Sequence, residues 1–202
     1  LVALHEAIGH VVEIAGSGAR VEIAGRRLAE LASDPDPSVA MSGQVGSQIK
    51  IDSGRRWLLA NVRRLKVTDA EAGTVVAEID FLGEGDEDPS SGQLVNFKRG
   101  ITGYPIPGSR AYPVTGPDLK QMFAADERPH IEIGTVYPTK DVRAALYVDA
   151  FLGKHFALLG STGTGKSTSA ALILHRICES APEGHIVMID PHGEYSAAFK
   201  NC

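Results

Sequence analysis

Apolar and polar positions alternate strictly in several short runs of the first 140 residues. In Val75–Phe81, Val75, Ala77, Ile79 and Phe81 share one face, while Glu78 and Asp80 point away. Val21–Ile23 and Ile131–Ile133 each place one acid between two aliphatic residues, and Val45, Ile49 and Ile51 fall on one face of the run from Val45 to Ile51. Period two with one wet face predicts an antiparallel sheet or small barrel. Gly16-Ser17-Gly18, Asp52-Ser53-Gly54 and Gly116-Pro117 punctuate these runs as turns. Leu28–Ala32 reads as a helical turn, and Pro117–Ala124 as the start of a short helix. The tract Gly83–Gly92, with four acids and two serines, reads as a solvated hairpin tip.

After Lys140 the pattern changes. Ala145–Val148 is apolar, and His155–Gly160 is a compact apolar run ending in glycine. From Lys166 to about Ser180 the period is helical: Ala170, Ile173, Leu174 and Ile177 recur at i, i+3, i+4 and i+7. Pro182 and Gly184 end that helix, and His185–Asp190 reads as a second buried strand. Strand, helix, strand without alternation predicts a βαβ unit of a parallel sheet. The fold class expected is therefore a small all-β barrel domain over residues 1–140, followed over 141–202 by the beginning of an α/β domain. One crossover falls short of the usual sheet of about five strands, so the apolar helix face is expected to lack cover within these residues.

Composition narrows the classes. With 43% hydrophobic and 22% charged residues the chain is of ordinary globular type, which excludes a wholly disordered or collagen-like protein. No apolar run approaches the ~20 residues of a membrane-spanning helix. The chain opens at Leu1, which reads as a trimmed start and not as a secretory signal. Two cysteines, Cys178 and Cys202, make neither a disulfide framework nor a zinc motif, and a reducing, cytoplasmic compartment is expected. The net charge of −5 is spread over both parts, 15 basic against 19 acidic residues in 1–140 and 5 against 6 in 141–202. Neither part has the basic excess of a nucleic-acid-binding module.

The chemistry lies in Gly160-Ser-Thr-Gly-Thr-Gly-Lys-Ser167, which fits G-x-x-x-x-G-K-[ST] at every fixed position. Glycines let the backbone curl so that successive N–H groups face a polyphosphate, and the helix that follows adds its positive end. The nucleotide-contacting residues expected are Gly160, Ser161, Thr162, Gly163, Thr164, Gly165, Lys166, Ser167 and Thr168, the last packing or capping in the first turn. Lys166 reaches the β- and γ-phosphates of ATP, and the Ser167 hydroxyl ligates Mg²⁺. Asp190 and Glu194, in Asp190-Pro-His-Gly-Glu-Tyr195, close the second strand run. If the two strands are neighbours, these acids lie near the triphosphate and hold Mg²⁺ through water or orient the attacking water. The competing reading is a strand-end acid that starts a turn shaped by Pro191 and Gly193, with His192 as a turn residue.

His155–Thr168 followed by Ile189–Tyr195 resembles the HerA-type ATPases, a branch of ring ATPases that also holds the FtsK DNA pumps. Members of this family begin with a barrel of the ATP-synthase type, followed by a RecA-like core. Gly9–Glu13 resembles the opening strand of that barrel, Val45–Ile51 a middle strand, Arg99–Pro105 its turn, and Ile131–Thr135 the lead into the core. The resemblance implies the N-terminal portion of a hexameric, Mg²⁺- and ATP-dependent DNA translocase or helicase. It further implies a nuclease partner of the NurA type in end resection, or an anti-phage effector. The water-polarising acid, the arginine finger and the pore loops that grip DNA are then expected beyond Cys202. The same residues also allow an ATP-gated ring scaffold that regulates an effector without pumping DNA.

Overall fold

A computed structural model describes residues 5–69, 73–181 and 183–200; Pro182 and Cys202 lie outside them. Contacts divide the chain into two units. One comprises residues up to 123 together with 137–142, the other 124–136 together with residues from 143 onward.

The first unit is a closed antiparallel barrel. Its strands are β1 (Gly9–Ala15), β2 (Gly18–Ala24), β3 (Gln48–Asp52), β4 (Arg56–Asp69), β5 (Thr74–Glu87), β6 (Leu94–Arg99) and β7 (Arg110–Pro113). The helices α1 (Gly25–Leu31) and α2 (Pro37–Ala40) lie between β2 and β3, and α3 (Gly116–Phe123) follows β7. The strand order is β2-β1-β7-β3-β4-β5, and β5 pairs back onto β2 to close a ring of six. The closing seam runs from Gly18 opposite Asp80 to Ala24 opposite Thr74. The alternation read from the sequence decides what fills the ring: Val21, Ile23, Ala77 and Ile79 point in, with Ile49, Ile51, Leu58 and Val11, and all are essentially inaccessible. Val45 does not join them. It is 62% exposed and precedes β3.

Nor is the acidic tract a hairpin tip throughout. Residues 83–87 belong to β5, which there carries β6 on the edge away from β4. The glycines explain this. A Cβ on Gly83 would stand 2.2 Å from the Lys98 carbonyl oxygen, and one on Gly85 would stand 2.6 Å from that of Val95. Bare backbone lets β6 lie close over the strand. Only residues 88–92 form the tip, where the Asp88 carboxylate accepts the Ser90 and Ser91 amides. Glu84 accepts the Thr102 amide at 3.0 Å and its hydroxyl at 2.7 Å, and pairs with Arg56. The tract thereby holds the turn after β6.

A buried ion pair ties this unit together. Lys50 Nζ on β3 meets Asp118 Oδ2 at 2.9 Å, and Asp118, fully buried in α3, also accepts the Leu94 amide, the Thr115 amide and the Thr115 hydroxyl. The ammonium also lies 4.6 Å from the centre of the Trp57 ring.

The second unit holds the hairpin β8 (His130–Thr135) and β9 (Arg143–Tyr147), then α4 (Val148–Leu152) and α5 (Lys166–Ser180). Of the four positions of the helix face foreseen in the sequence, two have cover, while Ala170 and Leu174 stay partly exposed. Ile173 and Ile177 are buried with Ile131 and Val148, and Ile133, Leu146 and Phe151 pack around them. The expected strands at 155–160 and 185–190 are not formed: neither run has a ladder partner among the described residues. Leu159, Val187 and Ile189 are about nine-tenths exposed. A strand exists only through its neighbours, and these two runs have none here. The α/β part is therefore partial, a helix with its phosphate loop on a hairpin support.

Candidate nucleotide site

The phosphate loop joins the run 155–160 to α5. Gly163 and Gly165 both have φ near +84°, the left-handed region that a Cβ disfavours. Gly165 is the N-cap of α5, and the first intrahelical bond runs from the Ser169 amide to the Gly165 carbonyl at 2.9 Å. The amides of Lys166, Ser167 and Thr168 precede that bond and have no partner within the helix. They face outward from its positive end. The loop closes on itself at the Ser161 carbonyl, which accepts Lys166 Nζ at 2.7 Å and the Thr164 hydroxyl at 2.8 Å. A Cβ on Gly160 would meet that hydroxyl at 2.6 Å, so glycine permits the closure. Thr162 and Thr168 are exposed, at the crest and in the first turn.

On the helix side, Ser167 donates its hydroxyl to the Glu194 carboxylate. The structure thus brings Glu194 to the loop although the strands flanking the loop and the turn are not paired. Asp190 does not come with it. Its carboxylate accepts the Tyr195 amide at 2.9 Å and the Glu194 amide at 3.2 Å. These bonds hold the Asp190 carboxyl below the usual carboxylate range, the Tyr195 amide foremost. Farther along the turn the chain is pinned to α5: His175 Nε2 lies 2.9 Å from the Ala198 carbonyl oxygen, and its ring stacks on Phe199 with centroids 4.6 Å apart. His192 is exposed, and no group of three or more His, Cys, Asp or Glu that could hold a metal is found among the described residues.

Sequence reasoning missed both the hairpin that supports α5 and the His175 anchor. The hairpin was legible in part, since Ile131–Ile133 alternates; nothing in the sequence marks His175. The donor set fits a nucleoside polyphosphate: three outward amides, one ammonium, and a hydroxyl backed by a carboxylate.

Comparison with known proteins bears on this unit. Residues 131–201 match the family described as Helicase HerA, central domain. That segment is similar to the HerA central domain. The resemblance noted in the sequence holds there, and the six-strand barrel ahead of it agrees with the fold the resemblance implied. The DNA double-strand break repair helicase HerA of Pyrococcus furiosus is 42% identical over 78 residues, 39% of this chain and 14% of the relative. A probable helicase of the same description from Methanocaldococcus jannaschii is 35% identical over 34% of the chain and 13% of the relative. The HerA of Saccharolobus solfataricus is 34% identical over 45% of the chain and 17% of the relative. The matched segments thus span 13–17% of the length of these relatives.

Proposed function

We propose that residues 160–168 bind Mg-ATP, and that the chain is the N-terminal portion of a hexameric, ATP-dependent DNA translocase or helicase of the HerA type. The observation that carries this reading is the phosphate loop itself: two left-handed glycines, three outward amides and Lys166 folded over the loop. Relatives described as break-repair helicases that match the same segment support it. In this reading Lys166 exchanges the Ser161 carbonyl for phosphate oxygens, and the first-turn amides orient the chain of phosphates. The Ser167 hydroxyl ligates the cation. A bound Mg²⁺ would supply charge neutralisation at the phosphate oxygens. The water-polarising acid, the arginine finger and the DNA-gripping loops belong to sequence outside residues 1–202. Partners of the whole protein are DNA and a nuclease of the NurA type or a defence effector, in a cytoplasmic setting. No helix among the described residues is long and apolar enough to cross a membrane.

Titration with Mg-ATP tests the site. Lys166→Ala is expected to abolish binding and leave the barrel folded, because no residue of its core lies in the loop. Wild-type affinity in that variant would place nucleotide elsewhere. Stimulation of ATP turnover by DNA in the full-length protein tests the motor. Turnover indifferent to DNA would favour a gated scaffold that regulates an effector.

A further inference from the structure

The turn 190–195 carries two acids with different attachments. We propose that Glu194 is the acid serving the metal side of the phosphate loop, and that Asp190 is a positioning residue that holds Glu194 there; this rests on the Mg-ATP reading of the loop. Glu194 accepts the Ser167 hydroxyl directly. A hydroxyl that ligates a cation through its oxygen still has a proton to donate. Glu194 is the acceptor already in place for it, and such outer partners fix the direction of the ligand's lone pairs.

Asp190 has no comparable freedom. Each of its carboxylate oxygens is engaged by an amide of its own turn, Oδ1 by Glu194 and Oδ2 by Tyr195. Its carbonyl oxygen lies 3.3 Å from the amide nitrogen of Gly193, which takes φ +68° to complete the turn. To reach a cation at Ser167 it would have to give up both side-chain bonds and release the residue that does reach. The far end of the segment is fixed independently: Ala198 and Phe199 are held by His175, two turns along the same helix from Ser167. Glu194 therefore sits on a short bridge with an anchor at each end, Asp190 before it and the His175 contacts after it.

The test is titration of wild type, Lys166→Ala, Glu194→Ala, Asp190→Ala and Asp190→Asn with ATP, with and without Mg²⁺. It is joined to amide hydrogen exchange of the nucleotide-free proteins. Glu194→Ala is expected to lose about tenfold in the Mg²⁺-dependent part of the affinity, with metal-free ATP binding unchanged. Asp190→Ala should show the same loss and faster exchange of the Glu194 and Tyr195 amides. Asparagine keeps one of the two acceptor oxygens but sets an NH₂ group against the other amide, so Asp190→Asn should lose about threefold and fall between wild type and Asp190→Ala. Asp190→Asn as damaging as Asp190→Ala, with the two amides still protected, would show that the Asp190 charge is itself needed at the metal and would overturn the proposal. An unaltered Mg²⁺ dependence in Glu194→Ala would do so as well. Equal ATP binding by wild type and Lys166→Ala is a separate result, which removes the loop reading and the proposal with it.

Discussion

Asp118 shows how much one buried side chain can hold. It accepts four donors from three places: Lys50, Leu94 and two atoms of Thr115. Asp118→Ala leaves a buried ammonium and two buried amides without acceptors, and should cost about 3–5 kcal/mol in urea unfolding of the barrel. Replacing the pair together, Lys50→Met with Asp118→Leu, removes the stranded charge but not the stranded amides. That variant should recover only part of the loss, and full recovery would show that the amides find other acceptors. Glu84 gives a second test at this scale. The Thr102 amide, then its hydroxyl, and Arg56 hold its carboxyl below the ordinary value of 4.5. A folded value below the unfolded one contributes stability above pH ~4.5 that is lost as pH falls through the folded value. Glu84→Gln should therefore lower barrel stability near pH 7 and flatten the acid limb of the stability profile. An unchanged limb would mean that the Thr102 bonds persist in the unfolded chain. Apart from Thr115, three residues before Asp118, these partners lie 18 to 68 residues apart, and the sequence did not show them. Composition alone made the acids of this tract look like solvated charge.

At the scale of elements, legibility followed period. Strands with one wet face, such as Val75–Phe81, were readable because burial itself writes the alternation. The helix α5 was readable for the same reason at period 3.6. The runs 155–160 and 185–190 were read as strands because they are apolar, but apolarity marks a wish for cover and not its presence. Likewise the phosphate loop could be named from its glycines, whereas the Ser167–Glu194 contact depends on a turn and a histidine anchor that carry no pattern. Gly83 tests the packing of one element on another. Gly83→Ala drives a Cβ into the Lys98 carbonyl, so β6 must retreat from β5. The expected loss is about 1–3 kcal/mol of barrel stability, with increased exchange of the β6 amides. A neutral substitution would mean that β6 is held chiefly by α3.

For the whole molecule, two units with separate apolar clusters imply that one unfolding transition is a poor description. Calorimetry should resolve two, and ATP should raise only the one belonging to the phosphate-loop unit. At a hundred times the dissociation constant the gain is about 2.7 kcal/mol, and Lys166→Ala should abolish it. A rise in both transitions would show that the units unfold as one.

The ring closure also sets an order of events in time. Gly9 pairs with Ala111, half the chain away, and β2 finds β5 only after the long β4 has been made. A nascent chain therefore cannot complete the barrel until β7, a strand of four residues, has left the ribosome. Until then β2 can pair with β5 but β1 keeps an open edge, the kind of intermediate on which chaperones act. Loop closure over such distances places folding in the range of milliseconds to seconds, so the last short strand governs when the first one loses its open edge.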